Sequence, residues 1–387
     1  VSKQFVAAAL VLLEQEGRLR LDDPVSRHLP EFPDFRDAGG PVTIRHLLQH
    51  TSGLRDQYGL LEIVGRPYGD VVHTNAEVVA LVSRQRTLNF PVNTAYLYSN
   101  SGYTVAAVLV ERVSGMSLQD YTESRLFAPA GITRARWRTD HRAVLPGRVV
   151  PYALRAGRWE LDEPFSDLYG AGGLRMTLDE MLRWTAALHG RRIGADSTLA
   201  TMARPARLRD GRLTEYGLGL MVREWLGLAE VAHSGSTAGY RAYLAHYPAS
   251  GVSVAMQCNA GNGDYVELAR AVAGVFHSQP PAAATMPPVQ PQARLAARPL
   301  SAAARASLTG AWRDAETGGV AQISASDSIV TIQFAHSPPR RVLAVAADSL
   351  RGEGQLAVGL ELDRRGRVVA LRYHNGRVRN VRFTPVP

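Results

Sequence analysis

A chain of 387 residues, 45% hydrophobic and 20% charged, is long enough for one large core plus a smaller unit. The net charge of +9 raises nucleic acid as a partner, but the arginines are scattered and no basic stripe interleaved with aromatics occurs, so solvated faces are expected and nucleic acid is not. The one cysteine, Cys258, has no disulfide partner, and the longest apolar runs are broken by Arg, Glu or Gly within about 18 residues, too soon for a transmembrane helix.

The chain opens on Val, and residues from Lys3 to Glu16 already carry apolar side chains around most of a helix that ends at Gly17. The true beginning, with any export signal, is therefore expected upstream. Turn-rich sequence to Pro41 leads to a capped helix over Thr43–His50, stopped by Thr51-Ser52-Gly53, and helical patterns recur near Asn75–Ser83, Ser101–Ser114, Ser117–Leu126 and Leu178–Leu188. From about Tyr216 the period changes to two. Leu218–Trp225, Glu230–His233, Arg241–Tyr247 and Val252–Cys258 read as strands with short joins, hence an antiparallel sheet, closed by an amphipathic helix over Tyr265–Phe276. Cys258 reads as a small hydrophobe in the last of these strands.

Residues 278–308 hold six prolines and many alanines without apolar periodicity, the composition of a semi-rigid linker. Beyond them, alternating runs at Val320–Ile323, Ile329–Phe334, Arg341–Val345, Leu356–Leu362, Val368–His374 and Val378–Phe383 predict a small all-β barrel or sandwich without a catalytic cluster. The expected organisation is an α/β (α+β) unit over 1–277, a linker over 278–308 and an all-β accessory domain over 309–387.

Of the 44 basic residues only Lys3 is a lysine. Arginine stays protonated in proteins, whereas a buried lysine can be tuned into a base. A serine three residues before a lysine at a helix start puts both side chains on one face, where the amine can take the hydroxyl proton; here that position precedes Val1. Ser2 is not a substitute, because adjacent helical residues point about 100° apart. A second element is Tyr98-Ser99-Asn100 at a loop-to-helix junction. There Tyr98 could project its hydroxyl into a cleft, with its pKa lowered by a nearby ammonium, and Asn100 could accept from Lys3 and donate to a substrate carbonyl. The third is His233-Ser234-Gly235-Ser236 at a strand end. Gly235 would let a substrate backbone approach the strand, the Ser236 amide could serve an oxyanion, and His233 could face a substrate carboxylate or Tyr98.

Together these resemble the serine β-lactamase and penicillin-binding protein superfamily, in its class C β-lactamase-like branch of D,D-carboxypeptidases, esterases and D-aminopeptidases. Its S-x-x-K, Y-x-N and K-T-G-like elements occur in this order. His46-Leu47-Leu48-Gln49-His50-Thr51-Ser52-Gly53-Leu54, Gly170-Ala171-Gly172-Gly173-Leu174 and Tyr216-Gly217-Leu218-Gly219-Leu220 match as well, and the resemblance covers about Val1 to Phe276. It implies Lys3 as general base, Tyr98 as proton shuttle to the leaving group, and Asn100, Ser234, Gly235 and Ser236 as substrate- and oxyanion-binding positions. His233 stands where β-lactamases carry Lys, which disfavours penicillin hydrolysis as the main activity. The nucleophilic serine is expected just before Val1, so residues 1–387 alone are expected to be inactive. The resemblance further implies no cofactor, a small-molecule or peptide substrate that includes peptidoglycan-derived ones, and a periplasmic or secreted enzyme. Strands ahead of the first helix would complete the central sheet, and without them one sheet edge is expected to be bare.

Rival readings are a non-catalytic homologue that binds penicillin or peptidoglycan, a true β-lactamase, and metal chemistry at His46 and His50, four apart on a helix. The last lacks the Glu of H-E-x-x-H, since Leu47 follows His46, and no G-x-S-x-G of an α/β-hydrolase is present.

Overall fold

The computed structural model describes residues 1–35, 39–163, 165–277 and 296–386. Helix α1 (Lys3–Gln15) is buried continuously from Lys3 to Leu13, as an apolar stripe around the whole helix requires. Gly17, at φ +71°, ends it in the left-handed conformation that costs glycine least. Helix α2 (Ile44–Leu48) starts in a reciprocal cap: Thr43 Oγ1 accepts from His46 N while His46 Nδ1 accepts from Thr43 N. It stops two residues short of the expected His50, which has φ +58°. A helix not expected from periodicity, α3 (Gln57–Ile63), follows its N-cap Asp56. Helices α4 (Asn75–Ser83), α5 (Asn100–Ser114) and α6 (Leu178–His189) lie where the pattern put them, and α1 packs against α5.

Four antiparallel strands, β1 (Met221–Trp225), β2 (Leu228–Thr237), β3 (Tyr240–Tyr247) and β4 (Val252–Cys258), lie in that order in one sheet. Helix α7 (Tyr265–Phe276) packs on β3 and β4. The first strand begins later than expected because Tyr216–Leu220 turn over α1, where a Cβ on Gly219 would meet the Lys3 carbonyl at 2.8 Å. Strand β2 runs four residues past His233. Among the described residues β4 pairs only with β3, and the neighbouring α7 side chains Leu268, Val272, Val275 and Phe276 are exposed.

Of the segment expected as linker, 278–295 lie outside the described residues. Part of the rest is helical and docked: Leu300 is buried, and helix α8 (Ala302–Leu308) is capped by Ser301, whose hydroxyl accepts from Ala304 N. Consecutive alanines form a helix without showing the apolar contrast that reveals one in a sequence. The eight strands β5 (Gly310–Asp314), β6 (Val320–Ala325), β7 (Ile329–Phe334), β8 (Arg340–Ala346), β9 (Ser349–Gly352), β10 (Leu356–Leu362), β11 (Val368–Asn375) and β12 (Val378–Pro385) close into a barrel, β12 pairing with β5. The fold is thus mixed α/β with an antiparallel sheet and a closed barrel, as expected. None of the described helices is long and apolar enough to cross a membrane.

The barrel seats on α3 almost backbone to backbone. A Cβ on Gly319 would lie 2.4 Å from the Ile63 carbonyl oxygen, and one on Gly59 would lie 2.5 Å from Val378 Cγ2. Arg340 pairs with Glu62 beside this contact. Arg55, 1% exposed, spreads its guanidinium over Arg379 O, Asn380 O, Thr87 O, Thr87 Oγ1, Gln85 Oε1 and Glu316 Oε2, tying the barrel to the loop that precedes α3.

Candidate active site

Lys3 sits in the first turn of α1 and is 3% exposed. Its Nζ donates to Asn100 Oδ1 at 2.9 Å and to Ala171 O at 2.6 Å. Burial pulls its pKa from 10.5 down to about 7, partly opposed by Asp56 and assisted by Arg377. Near neutral pH the amine is therefore free of its third proton for much of the time. A neutral amine has two N–H groups and one lone pair; both N–H groups are engaged here, so the lone pair takes a remaining tetrahedral direction.

Each acceptor is fixed from behind. Asn100 is held by Asp56, whose Oδ2 accepts from both its backbone N (2.8 Å) and its Nδ2 (2.9 Å), which leaves Oδ1 to face Lys3. The other oxygen of Asp56 caps α3 through Tyr58 N. Ala171 lies in the Gly170–Gly173 turn, pressed onto α5: a Cβ on Gly170, at φ +93°, would meet Ala107 Cβ at 2.4 Å. The glycines thus bring a carbonyl onto Lys3. Ser2 Oγ accepts from Leu174 N, away from this corner.

The Tyr98 ring lies with its centroid 4.8 Å from Lys3 Nζ, and His50 packs on it with ring centroids 4.1 Å apart. The lowered phenol pKa expected from a nearby ammonium is not what the geometry produces. Burial dominates and pushes the Tyr98 pKa well up, so the hydroxyl keeps its proton. His50 Nδ1 accepts from Ser99 N at 3.2 Å, which puts the imidazole proton on Nε2, and burial holds the ring neutral.

His233 is buried, and both of its ring nitrogens are occupied by protein atoms. Its Nδ1 lies 2.5 Å from Ser234 O, which requires the proton on Nδ1, and Nε2 accepts from the Tyr216 hydroxyl at 2.8 Å. Burial holds its pKa far below the usual range, so it presents no positive charge. The Tyr98 and His233 rings are 6.2 Å apart between centroids.

Strand β1 leaves β2 at Ala232, whereas β3 accompanies β2 to Thr237. Residues 233–237 therefore have one edge free of strand. Ser234 O points out of this edge to accept from Val1 N at 3.0 Å, and by the two-residue alternation of a strand the Ser236 N–H points the same way. A Cβ on Gly235 would lie 3.6 Å from Val1 N, so a bare backbone faces the start of α1. The structure thus brings Lys3, Tyr98 and Asn100 together at the start of α1, where Val1 N meets the Ser234–Gly235 edge. Sequence reasoning missed Asp56, the Ala171 carbonyl, Tyr216 and Arg377. The phrases that contain Ala171 and Tyr216 match the resemblance without a role, the first phrase stops at Leu54 short of Asp56, and nothing near Arg377 signals one.

Arg377 comes from the turn between β11 and β12. Its Cζ is 4.8 Å from the Tyr98 ring centroid and its Nη1 is 4.0 Å from Asp56 Oδ2. The possible metal pair does not share a helix face: His46 is occupied in the cap of α2, with a pKa near 4 from burial, and His50 lies beyond the helix end. Among the described residues Asp140, His141 and Asp167 bring three potential ligand atoms within 4.8 Å. The Asp140 carboxylate is engaged by Arg142, and His141 Nδ1 by Asp167, as in a salt-bridged surface loop.

Residues 1–276 match the family model described as Beta-lactamase. Penicillin-binding protein 4* of Bacillus subtilis is 29% identical over 264 residues, 64% of this chain and 56% of that protein. A D-aminopeptidase of Cereibacter sphaeroides is 26% identical over 392 residues, all of this chain and 69% of that protein. The octameric penicillin-binding protein homologue from Pyrococcus abyssi shares the fold, with a TM-score of 0.63 at 22% identity over 99% of this chain and 86% of that one. The names of the family and its relatives point to hydrolases. With a family model matched over most of its length and the cleft assembled where that match lies, this chain belongs to the Beta-lactamase family.

Proposed function

We propose that this chain is the major part of a serine hydrolase that works through an acyl-enzyme on peptide or ester substrates of the D,D-carboxypeptidase, D-aminopeptidase or esterase type, with 1–277 as the hydrolase unit and 309–387 as its accessory barrel. The observation that carries the reading is the buried Lys3 amine with a pKa near 7 and both N–H groups engaged. In this reading a serine joined to Val1, whose N lies 3.0 Å from Ser234 O at the free edge of β2, occupies the space between Lys3 and Ser236. A serine there attacks the substrate carbonyl carbon as its hydroxyl proton passes to the Lys3 lone pair. The oxyanion takes the Ser236 N–H and the serine's own N–H. The proton then reaches the leaving nitrogen or oxygen through the neutral Tyr98 phenol, the bond to the leaving group breaks, and water hydrolyses the ester by the same relay in reverse. Asn100 orients Lys3 and the substrate carbonyl, and His233 acts as a positioning residue that fixes the Ser234 carbonyl. Peptidoglycan-derived substrates would place the enzyme in the periplasm or outside the cell.

The base acts when deprotonated, so kcat/KM should rise with pH through about 7 and then level. The test is labelling of the full-length protein by a fluorophosphonate, with the adduct mapped by mass spectrometry. An adduct on the residue joined to Val1 that is lost in Lys3→Ala supports the reading; no adduct, or one elsewhere, refutes it. A fluorescent penicillin adduct that forms and never turns over would make the protein a binder instead.

A further inference from the structure

The proposed relay needs the Tyr98 hydroxyl free to take and give a proton, and among the described residues that hydroxyl makes no hydrogen bond; the contacts of Tyr98 are made by its ring. The phenol is therefore placed by its ring and its backbone, and one residue holds both. His50 O accepts from Leu97 N at 3.0 Å and His50 Nδ1 from Ser99 N at 3.2 Å, so the amides on either side of Tyr98 end on the same residue. Its imidazole lies on the Tyr98 ring, with centroids 4.1 Å apart and planes 37° from parallel.

His50 is itself held. It is 1% exposed, and the Tyr103 and Tyr216 rings flank it at 5.3 and 4.7 Å between centroids. Both rings are anchored at their far ends, Tyr103 Oη donating to Leu48 O and Tyr216 Oη to His233 Nε2, each at 2.8 Å. Two more carbonyls after α2, Thr51 O and Gly53 O, accept from Asn93 N and Asn89 N and fix the loop that leads to Tyr98. His50 does its part at φ +58°, a left-handed conformation that glycine adopts at less cost. Glycine there would keep the turn and the carbonyl but lose the ring and the Nδ1 acceptor, so the strain accompanies the side chain's hold on Tyr98.

We propose that His50 is the positioning residue of the relay, holding the Tyr98 phenol where it hands a proton from Lys3 to the leaving group. The inference rests on the assignment of Lys3 and Tyr98 above. A phenol displaced by about 1 Å leaves Lys3 able to take the nucleophile's proton but misaims the second transfer. Loss of His50 should therefore fall on substrates whose leaving group needs that proton and spare those whose leaving group departs as a stable anion. A side chain that only fills the core would weaken both alike.

The test measures kcat/KM, which reports acylation, of the full-length enzyme on the methyl and p-nitrophenyl esters of N-acetyl-D-alanine. Methoxide needs a proton to leave and p-nitrophenolate does not. His50→Phe keeps a ring on Tyr98 and loses the acceptor of Ser99 N; His50→Asn keeps an acceptor and tolerates the left-handed turn but loses the ring. The methyl ester should lose about 10- to 100-fold in His50→Phe and about 3- to 10-fold in His50→Asn, while the p-nitrophenyl ester stays within about threefold of wild type in both. Equal losses on the two esters, or no loss on either, overturn the proposal; if His50→Phe does not fold, His50→Asn decides by the same ratio. Absence of any fluorophosphonate adduct in the wild type refutes the underlying assignment instead, and the two failures are distinct.

Discussion

Two cations meet at one tyrosine ring, and the fold treats them in opposite ways. Lys3 is enclosed, gives its N–H groups to two protein oxygens and loses its charge near pH 7. Arg377 stands half in solvent with its donors open. Burial can strip the proton from an amine, but a guanidinium keeps its charge. The fold can therefore hold a neutral amine and a permanent positive charge around one ring, whereas two lysines would compete for the same proton.

Exchanging the types should break the comparison most severely. Lys3→Arg places a charge that cannot leave where a lone pair is needed, and fluorophosphonate labelling should slow by about 10²- to 10⁴-fold. Next in size, Arg55→Lys cannot reproduce the planar fork that holds Glu316 and the barrel carbonyls. It should cost about 3 kcal/mol of stability in urea unfolding.

Asp56→Asn removes the anion behind Asn100 and should reduce kcat/KM by about tenfold. Asp56 raises the Lys3 pKa, so its neutralisation should also move the acidic limb of the pH profile below 7. Arg377→Gln should move the same limb above 7, because Arg377 lowers that pKa. Limbs shifting in the same direction would contradict the electrostatic picture. Smallest is Tyr216→Phe, which deprives His233 Nε2 of its donor and should cost about 1 kcal/mol in thermal unfolding.

Much of this was readable from periodicity and spacing. Arg241–Tyr247, Val252–Cys258 and Tyr265–Phe276 lie within a residue of their predicted bounds, because alternation and the helical stripe reflect burial directly. Strand β2 was predicted too short, since Ser234–Thr237 follow no apolar alternation along an edge that faces a cleft. Barrel strands β5 and β9 were missed because Gly310–Asp314 and Ser349–Gly352 are brief and too short to show an apolar alternation. Lys3, Tyr98 and Asn100 stood out through residue type and local spacing. Arg377 could not, because its place depends on a turn almost 280 residues from Tyr98 packing beside it, and one arginine among many carries no mark of where it will land. The Tyr98 pKa was misjudged for a related reason: a sequence shows which charges exist and hides how much water the fold removes.

The seating of the barrel turn against α3 gives synthesis of the chain an order of events. Lys3, Tyr98 and Asn100 are made early, yet the carbonyls that hold Arg55 and the guanidinium beside Tyr98 emerge only with the final strands. A nascent chain that has completed α7 holds Lys3, Tyr98 and Asn100 but neither Arg377 nor the carbonyls that anchor Arg55. A stop codon shortly before β12 would thus leave Arg55 without the barrel carbonyls that accept from its guanidinium.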